Sequence, residues 1–409
     1  GWAASGQYGT TTVEEAVNEI TQTNKAIAKA FTGIPNLRTP GNHCPNIGNY
    51  AVNGNRYLDS TKLYELYGSY NTGATSDEGN EERGYCYRDF PDYKLRVICL
   101  NTVDLKGLDP TGDVAKQELF ISTAQLNWFA KALDLSSKGS DAENWRIIIV
   151  SHHPLDWGRV IFSCRVLNGY LMGTKDSAYN GGDGGTYSWD FSKGNNKAKI
   201  IANIHGHIHN YAVAPLRYLP SGSVTAALPA EINRICIPNA CFSRNNARAE
   251  ETPKAEVFDI DYGEYNSDGS PLTANKTKGT GEDTSFAVVT IDRNNIIYVA
   301  YYGARYTDEK VIPYGDVVRY TITNTLTNVT SNNTNTITLK GISYSATLTA
   351  KSGYEIKNVK VWMGGAEITS SCYNENNGEI TIDSVEGDVV IDPCCGSGAF
   401  LVRALTEAM

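Results

Sequence analysis

The chain has 409 residues, with 36 Lys or Arg against 45 Asp or Glu, which leaves a formal charge of −9. Such a length suits roughly two or three domains, and the acidic balance excludes a chain-wide basic footprint for nucleic acid. No apolar run approaches the roughly 18 residues that a membrane helix needs, so a soluble protein with no membrane span is expected.

Residues 12–31 carry Val13, Ala16, Val17, Ile20, Ile27, Ala28 and Phe31 largely at three- and four-residue steps, the pattern of an amphipathic helix. A turn-rich stretch with Gly33, Pro35, Pro40 and Gly41 follows, then a polar, Tyr-rich segment to Pro91. Residues 94–103 read as a buried strand and 125–133 as a helix with Thr123 at its N-cap. Residues 145–151 read as a strong strand, with consecutive apolar residues from Ile147 to Val150, and 199–204 as another. Strand, helix and strand in this order predict a layered α/β domain. Shorter strands such as 285–291 and 296–302 come next. Residues 321–337 contain seven Thr and five Asn, which marks a linker or a low-complexity edge strand at a domain boundary. Alternation over 343–350, 357–363 and 379–391 then predicts a small all-β module. The expected organisation is an α/β domain over 1–318, a β-sandwich-like module over 319–391 and a tail over 392–409.

The nine cysteines are odd in number and scattered, with no CxxC pair. They read as buried or incidental thiols in a reducing environment, with disulfides left open. Histidine says more. All six lie in three short clusters: Gly41-Asn42-His43, Ser151-His152-His153-Pro154 and His205-Gly206-His207-Ile208-His209. Two clusters follow apolar strands, at the carboxyl ends where layered α/β folds place active sites. Taken singly, such motifs read as turns, packing or surface. Together, in this order and in loops, they point to a metal site, since imidazole suits Zn, Mn or Fe and an Asn carbonyl adds a hard oxygen.

In these clusters the chain resembles the calcineurin-like metallophosphoesterases, the superfamily that includes purple acid phosphatases. That family's pattern runs D-x-H, G-D, G-N-H-[DE], a single ligand His and G-H-x-H. The last three elements match Gly41-Asn42-His43-Cys44, Ser151-His152-His153-Pro154 and Gly206-His207-Ile208-His209. Residues 96–104 and 125–133 are similar too, so the resemblance covers about residues 1–315. It implies a metallophosphoesterase α/β sandwich in which Asn42, His152 and His207 bind the second metal and His209 the first. His43 would touch the phosphate and help protonate the leaving group. His153 matches no ligand position and is expected as a substrate contact or a residue supporting the site. The implied chemistry is two-metal hydrolysis of a phosphate-ester small molecule by Mn, Fe or Zn, the cations about 3.5–4 Å apart.

The departures carry equal weight. The family's first two motifs supply an Asp, a His and a bridging Asp ahead of G-N-H. Residues 1–42 contain no Asp and no His, and the first Asp in the chain is Asp59. Glu14, Glu15 and Glu19 fall on the predicted helix, outside the site of such a fold. The expectation is an amino-terminally truncated phosphoesterase with one metal or none, impaired catalysis and a hydrophobic sheet edge left open. Cys44 stands where the family has an acidic residue. A neutral substitution is expected there, a soft ligand being the alternative.

Residues 389–408 resemble motif I of class I S-adenosylmethionine-dependent DNA methyltransferases: an apolar strand, Asp392, a Gly396/Gly398 turn and a helix from residue 399. No N-P-P-Y or D-P-P-Y motif accompanies it, and a foreign join is expected rather than a working cofactor site. Residues 351–390 instead resemble small β-sandwich modules of bacterial and phage surface or tail proteins. Three functions follow. One is dinuclear phosphate-ester hydrolysis in a protein of bacterial or phage origin. Another is a catalytically dead surface or tail-associated protein, extracellular or on a virion, that engages a glycan or cell surface through the β-module. The third is a methyltransferase fragment.

Overall fold

The computed structural model describes residues 12–42, 44, 58, 60–68, 84–104, 119–181, 183–194, 197–207, 213–218, 226–237, 286–292, 295–302, 308–314 and 318–394. Helices and sheets are mixed along the chain, as an α/β reading requires. Two compact units emerge: Gly1–Val289 with Val299–Lys310, and Thr290–Tyr298 with Val311–Met409.

In the first unit, α1 (Val13–Ala30) starts with a capping box. The Glu15 backbone N–H donates to Thr12 Oγ1 at 3.2 Å, and the Thr12 N–H donates to Glu15 Oε2 at 2.7 Å. Ala16 and Ile20 on its apolar face pack with Leu63, Leu66 and Tyr67 of α2 (Ser60–Tyr67) and with Cys44 and Leu58. Asn24 Nδ2 crosses between the helices to donate to Leu66 O at 2.6 Å, and Arg38 donates to the same asparagine. These bonds fasten the segment that leads to Gly41 and Asn42.

The sheet follows from β1 (Cys86–Phe90), β2 (Leu95–Leu100), α3 (Thr123–Ala132), β3 (Arg146–Ser151), α4 (Phe162–Met172), β4 (Lys175–Asn180), β5 (Thr186–Asp190), β6 (Lys199–His205), β7 (Val213–Pro215), β8 (Arg217–Tyr218), β9 (Ala226–Ala227) and β10 (Asn233–Cys236). Its order is β1-β2-β3-β6-β10-β7, while β4–β5 and β8–β9 are separate two-stranded ribbons. The four central strands are parallel and β1 and β7 are antiparallel to their neighbours. Ile98, Leu100, Ile147 and Ile149 on one face form the core with Phe129 and Leu133 after and within α3 and Val166, Leu167 and Tyr170 of α4. Each such side chain buried contributes about 1.5–3 kcal/mol.

Ser122, not Thr123, caps α3. Ser122 keeps an extended backbone and its Oγ accepts from the Gln125 N–H at 3.2 Å, whereas Thr123 is already helical and donates through N and Oγ1 to Asp183 Oδ2. At β1, one of its two terminal strands, the six-stranded sheet shows no open hydrophobic edge. That strand carries Arg88 and Asp89, and Asp89 is clamped by Arg96 at 2.7 and 3.0 Å. Exposed apolar strand residues occur instead at Phe286 and Val288. They lie in β11 (Phe286–Ile291), which forms a three-stranded sheet with β12 (Ile296–Tyr302) and β13 (Asp308–Pro313).

The second unit contains β14 (Arg319–Asn324), β15 (Val329–Ser331), β16 (Ile337–Leu339), β17 (Tyr344–Ala350), β18 (Asn358–Met363), β19 (Ala366–Glu367), β20 (Tyr373–Asn374), β21 (Glu379–Ile382) and β22 (Val389–Cys394). Two sheets, β16-β14-β22-β18-β19 and β15-β17-β21-β20, share one core built from Ile322, Leu348, Val361, Ile380, Val389 and Ile391 among others. The Thr/Asn-rich stretch is not a linker, and it is only partly edge. Its Val329–Ser331 form β15 and its Ile337 opens β16, each the terminal strand of its sheet, whereas its first four residues lie in β14. Alternation lets its Ile322 face the core, and β14 lies between β16 and β22. Residues 379–391 form two strands rather than one. The second runs on through Asp392 to Cys394, antiparallel to β18 and parallel to β14. Residues 395–409, with Gly396 and Gly398, lie outside the described residues. Among the described residues no helix is long and apolar enough to cross a membrane.

Candidate metal centre

Parallel register levels the carboxyl ends of three strands. Leu100 lies opposite Ser151, and Ser151 opposite His205, so the residues that follow each strand emerge side by side. From β2 come Asn101 and Thr102, from β3 His152 and His153, and from β6 Gly206 and His207. The Gly206 N–H donates to His152 O at 3.1 Å, which ties two of these ends together. Thr39 Oγ1 donates to Leu100 O and brings the Gly41–Asn42 turn to the same place.

Three polar atoms converge there. His152 Nε2 is 2.8 Å from Asn42 Oδ1 and 3.3 Å from His207 Nδ1. His152, His153 and His207 each offer a ring nitrogen, all within 4.8 Å of one another. Donors bound about 2.0–2.2 Å from one cation at tetrahedral or octahedral angles lie about 2.8–3.6 Å apart, a range that holds both the Asn42–His152 and the His152–His207 distances. The donor chemistry agrees: an amide oxygen only accepts, and a neutral imidazole keeps one lone pair. One proton on His152 Nε2 cannot serve both of its neighbours, whereas a cation can.

The backbone is shaped to permit this convergence. His207 has φ +67°, a left-handed conformation that costs a non-glycine residue about 1–2 kcal/mol. Gly41 is required by space, because a Cβ there would lie 2.8 Å from the His152 ring. His153 has no solvent exposure, and its Nδ1 is 2.9 Å from Thr102 Oγ1, which also accepts the His153 backbone N–H at 3.3 Å. The His153 ring lies 4.3 Å from that of His207, and the Trp157 indole meets His207 edge-on at 5.8 Å.

A buried polar frame holds these ends. Gln125 Nε2 donates to Asn101 O at 2.8 Å and to Asp104 Oδ2 at 3.0 Å, while its Oε1 accepts the Asn101 N–H. Asn203 Nδ2 donates to Ser151 Oγ at 2.9 Å, and Ser151 Oγ donates to His153 O at 2.7 Å. Asp156 and Arg234 form a buried ion pair at 2.8 Å. Burial pushes the Asp156 carboxyl up despite the pull of Arg234. Burial likewise drives the His205 imidazole down to about 3, so at neutral pH it is uncharged and its Nδ1–H donates to Gly206 O at 2.9 Å.

Of the residues singled out by sequence, Asn42, His152, His153 and His207 come together, while His43 and His209 lie outside the described residues. Cys44 stays out of the donor cluster. Its Sγ accepts the Gly41 N–H at 3.1 Å and lies 3.0 Å from Tyr67 Oη, closing the turn that presents Asn42. Sequence reasoning missed Thr102, Trp157 and the Asp156–Arg234 pair. Thr102 lies inside the predicted strand 94–103 and Trp157 five residues past His152, and that proximity is the one signal that points to them. A scan of the sequence against models of protein families finds no match, and a search of curated proteins finds none either.

Proposed function

We propose that the chain binds a divalent transition metal, Mn, Fe or Zn, through Asn42, His152 and His207, and that it is a phosphoric-ester hydrolase of the metallophosphoesterase kind. The convergence of Asn42 Oδ1, His152 Nε2 and His207 Nδ1 supports this reading above all. When bound, such an ion lowers the pKa of a coordinated water and offsets the charge of a phosphate ester. The chain's own part is positioning. Gly41 and Cys44 set the turn that aims the Asn42 carbonyl, Thr102 fixes the His153 ring, and His153 and Trp157 brace His207. His209 and His43 would add a further ligand and a proton donor to the leaving group. Residues 1–42 add no Asp or His to the site, so slow turnover is expected of these 409 residues.

The test is hydrolysis of a chromogenic phosphomonoester and phosphodiester by the full chain with added Mn²⁺. Slow hydrolysis that a chelator and His152→Ala both abolish is expected. Hydrolysis that persists in chelator, or none at a site shown to be loaded with Mn²⁺, Fe²⁺ or Zn²⁺, contradicts the reading.

A further inference from the structure

Apart from the histidines, one pair of chemically reactive side chains is placed by strand register itself. In the antiparallel β1–β2 pair, Cys86 lies directly opposite Cys99. Opposed residues project to the same face with Cα atoms about 4.5–5.5 Å apart, inside the range of about 4.4–6.8 Å that a disulfide spans. Tyr85, Ile98 and Leu100 belong to the helix-side core, so alternation turns both cysteines to the other face of the sheet. Both are reduced thiols, and β1 is the terminal strand of its sheet. No other two cysteines are strand partners among the described residues. Cys44 is held by Gly41 and Tyr67.

We propose that Cys86 and Cys99 form a reversible cross-strand disulfide by thiol–disulfide exchange with a small-molecule disulfide of the glutathione type. The Cys86 thiolate attacks one sulfur of the small disulfide, forming a mixed disulfide and expelling one small thiolate. The Cys99 thiolate then attacks the Cys86 sulfur, closing the protein disulfide and expelling the second. Two protein thiols are oxidised, one small disulfide is reduced, and the two protons pass to the departing thiolates.

The order of attack follows from the surroundings. Cys86, on the terminal strand, is 5% exposed and Cys99 is fully buried. The hydrogen bond between them draws the Cys86 thiol below the ordinary thiol range, while the same bond and burial push that of Cys99 up. Cys86 therefore suits the attacking role and Cys99 the resolving one. The bond would pin β1 to β2, whose end leads through Asn101 to Thr102 and its contact with His153. It uses none of the proposed metal ligands, so it stands or falls apart from that reading.

The experiment treats the folded full chain with oxidised glutathione, quenches in acid and maps peptides without reduction. The peptides carrying Cys86 and Cys99 should appear joined, with the intact mass reduced by two hydrogens and restored by dithiothreitol. The joined form should also unfold at a higher temperature than the reduced one. Cys86→Ser should abolish the joined peptide and leave Cys99 unmodified under the same treatment. A glutathione adduct on Cys86 that never resolves would overturn the proposal. So would a linkage formed first by other cysteines, or thiols that react only after the chain is denatured.

Discussion

In the α/β unit Arg96, Asp104, Asp156, His153, His205 and Arg234 are buried beside the apolar core, whereas residues 318–394 bury no charged or histidine side chain. Both regions otherwise pack β-branched and aromatic residues in the same manner. Burying an ionised group costs several kcal/mol unless geometry and hydrogen bonds compensate, so such groups persist where an arrangement has to be held. In the first unit Asp104, His153 and His205 lie at the carboxyl ends of β2, β3 and β6, Arg96 joins β2 to β1, and Arg234 of β10 pairs with Asp156. In the second, alternation alone specifies the fold, as the buried-and-exposed rhythm of Tyr344–Ala350 shows.

The largest effect that would sharpen this contrast comes from Asp156→Asn. It removes the carboxylate charge facing buried Arg234 and should destabilise the α/β unit by about 3–5 kcal/mol in denaturant unfolding. Lys360→Gln, which removes a partly exposed pair with Glu367, should change stability by less than about 1 kcal/mol. Next, Ile391→Ala in the apolar core of the β-module should cost about 2–4 kcal/mol, by the same measurement, and leave metal affinity unchanged. A loss of metal binding in that variant would break the contrast.

Gly41→Ala is a smaller and more local perturbation. Its Cβ would press on the His152 ring, costing about 1–3 kcal/mol of stability and lowering Mn²⁺ affinity in titration calorimetry. The smallest effect is electrostatic. Burial works to raise the Asp89 carboxyl, but hydrogen bonds and charges from Arg96 and Lys138 prevail and hold it below its ordinary value. Its contribution is therefore present above the ordinary carboxylate pKa of about 3.9 and is lost as pH falls through the lower folded value. Asp89→Asn should flatten stability against pH in that acid window and lower stability modestly at neutrality, where the charged contribution is fully present. An unchanged acid limb would contradict the assignment.

How much of this was legible in the sequence depends on the range of the signal. α1, β2, α3, β3 and β6 follow from local periodicity, and the convergence of His152, His153 and His207 follows from their place after apolar strands. In residues 321–337 composition suggests a linker, but alternation decides: Thr and Asn occupy outward positions while Ile322 and Val329 face the core, in an inner strand and an edge strand respectively. Ser122 took the cap from Thr123 because both residues suit it, and only backbone angles decide between them. Thr102 against His153, Asp156 against Arg234 and Cys86 against Cys99 depend on contacts across 51, 78 and 13 positions. No local pattern encodes such pairings.

The central claim, a metal held by Asn42, His152 and His207, is tested most directly by titrating the metal-free full chain with Mn²⁺ in a calorimeter beside Asn42→Ala and His152→Ala. The account predicts a saturable site in the unmodified chain and a loss of affinity of at least about 100-fold in His152→Ala, with a smaller loss in Asn42→Ala. Failure of the unmodified chain to bind Mn²⁺, Zn²⁺ or Fe²⁺, or binding that both substitutions leave intact, would contradict it.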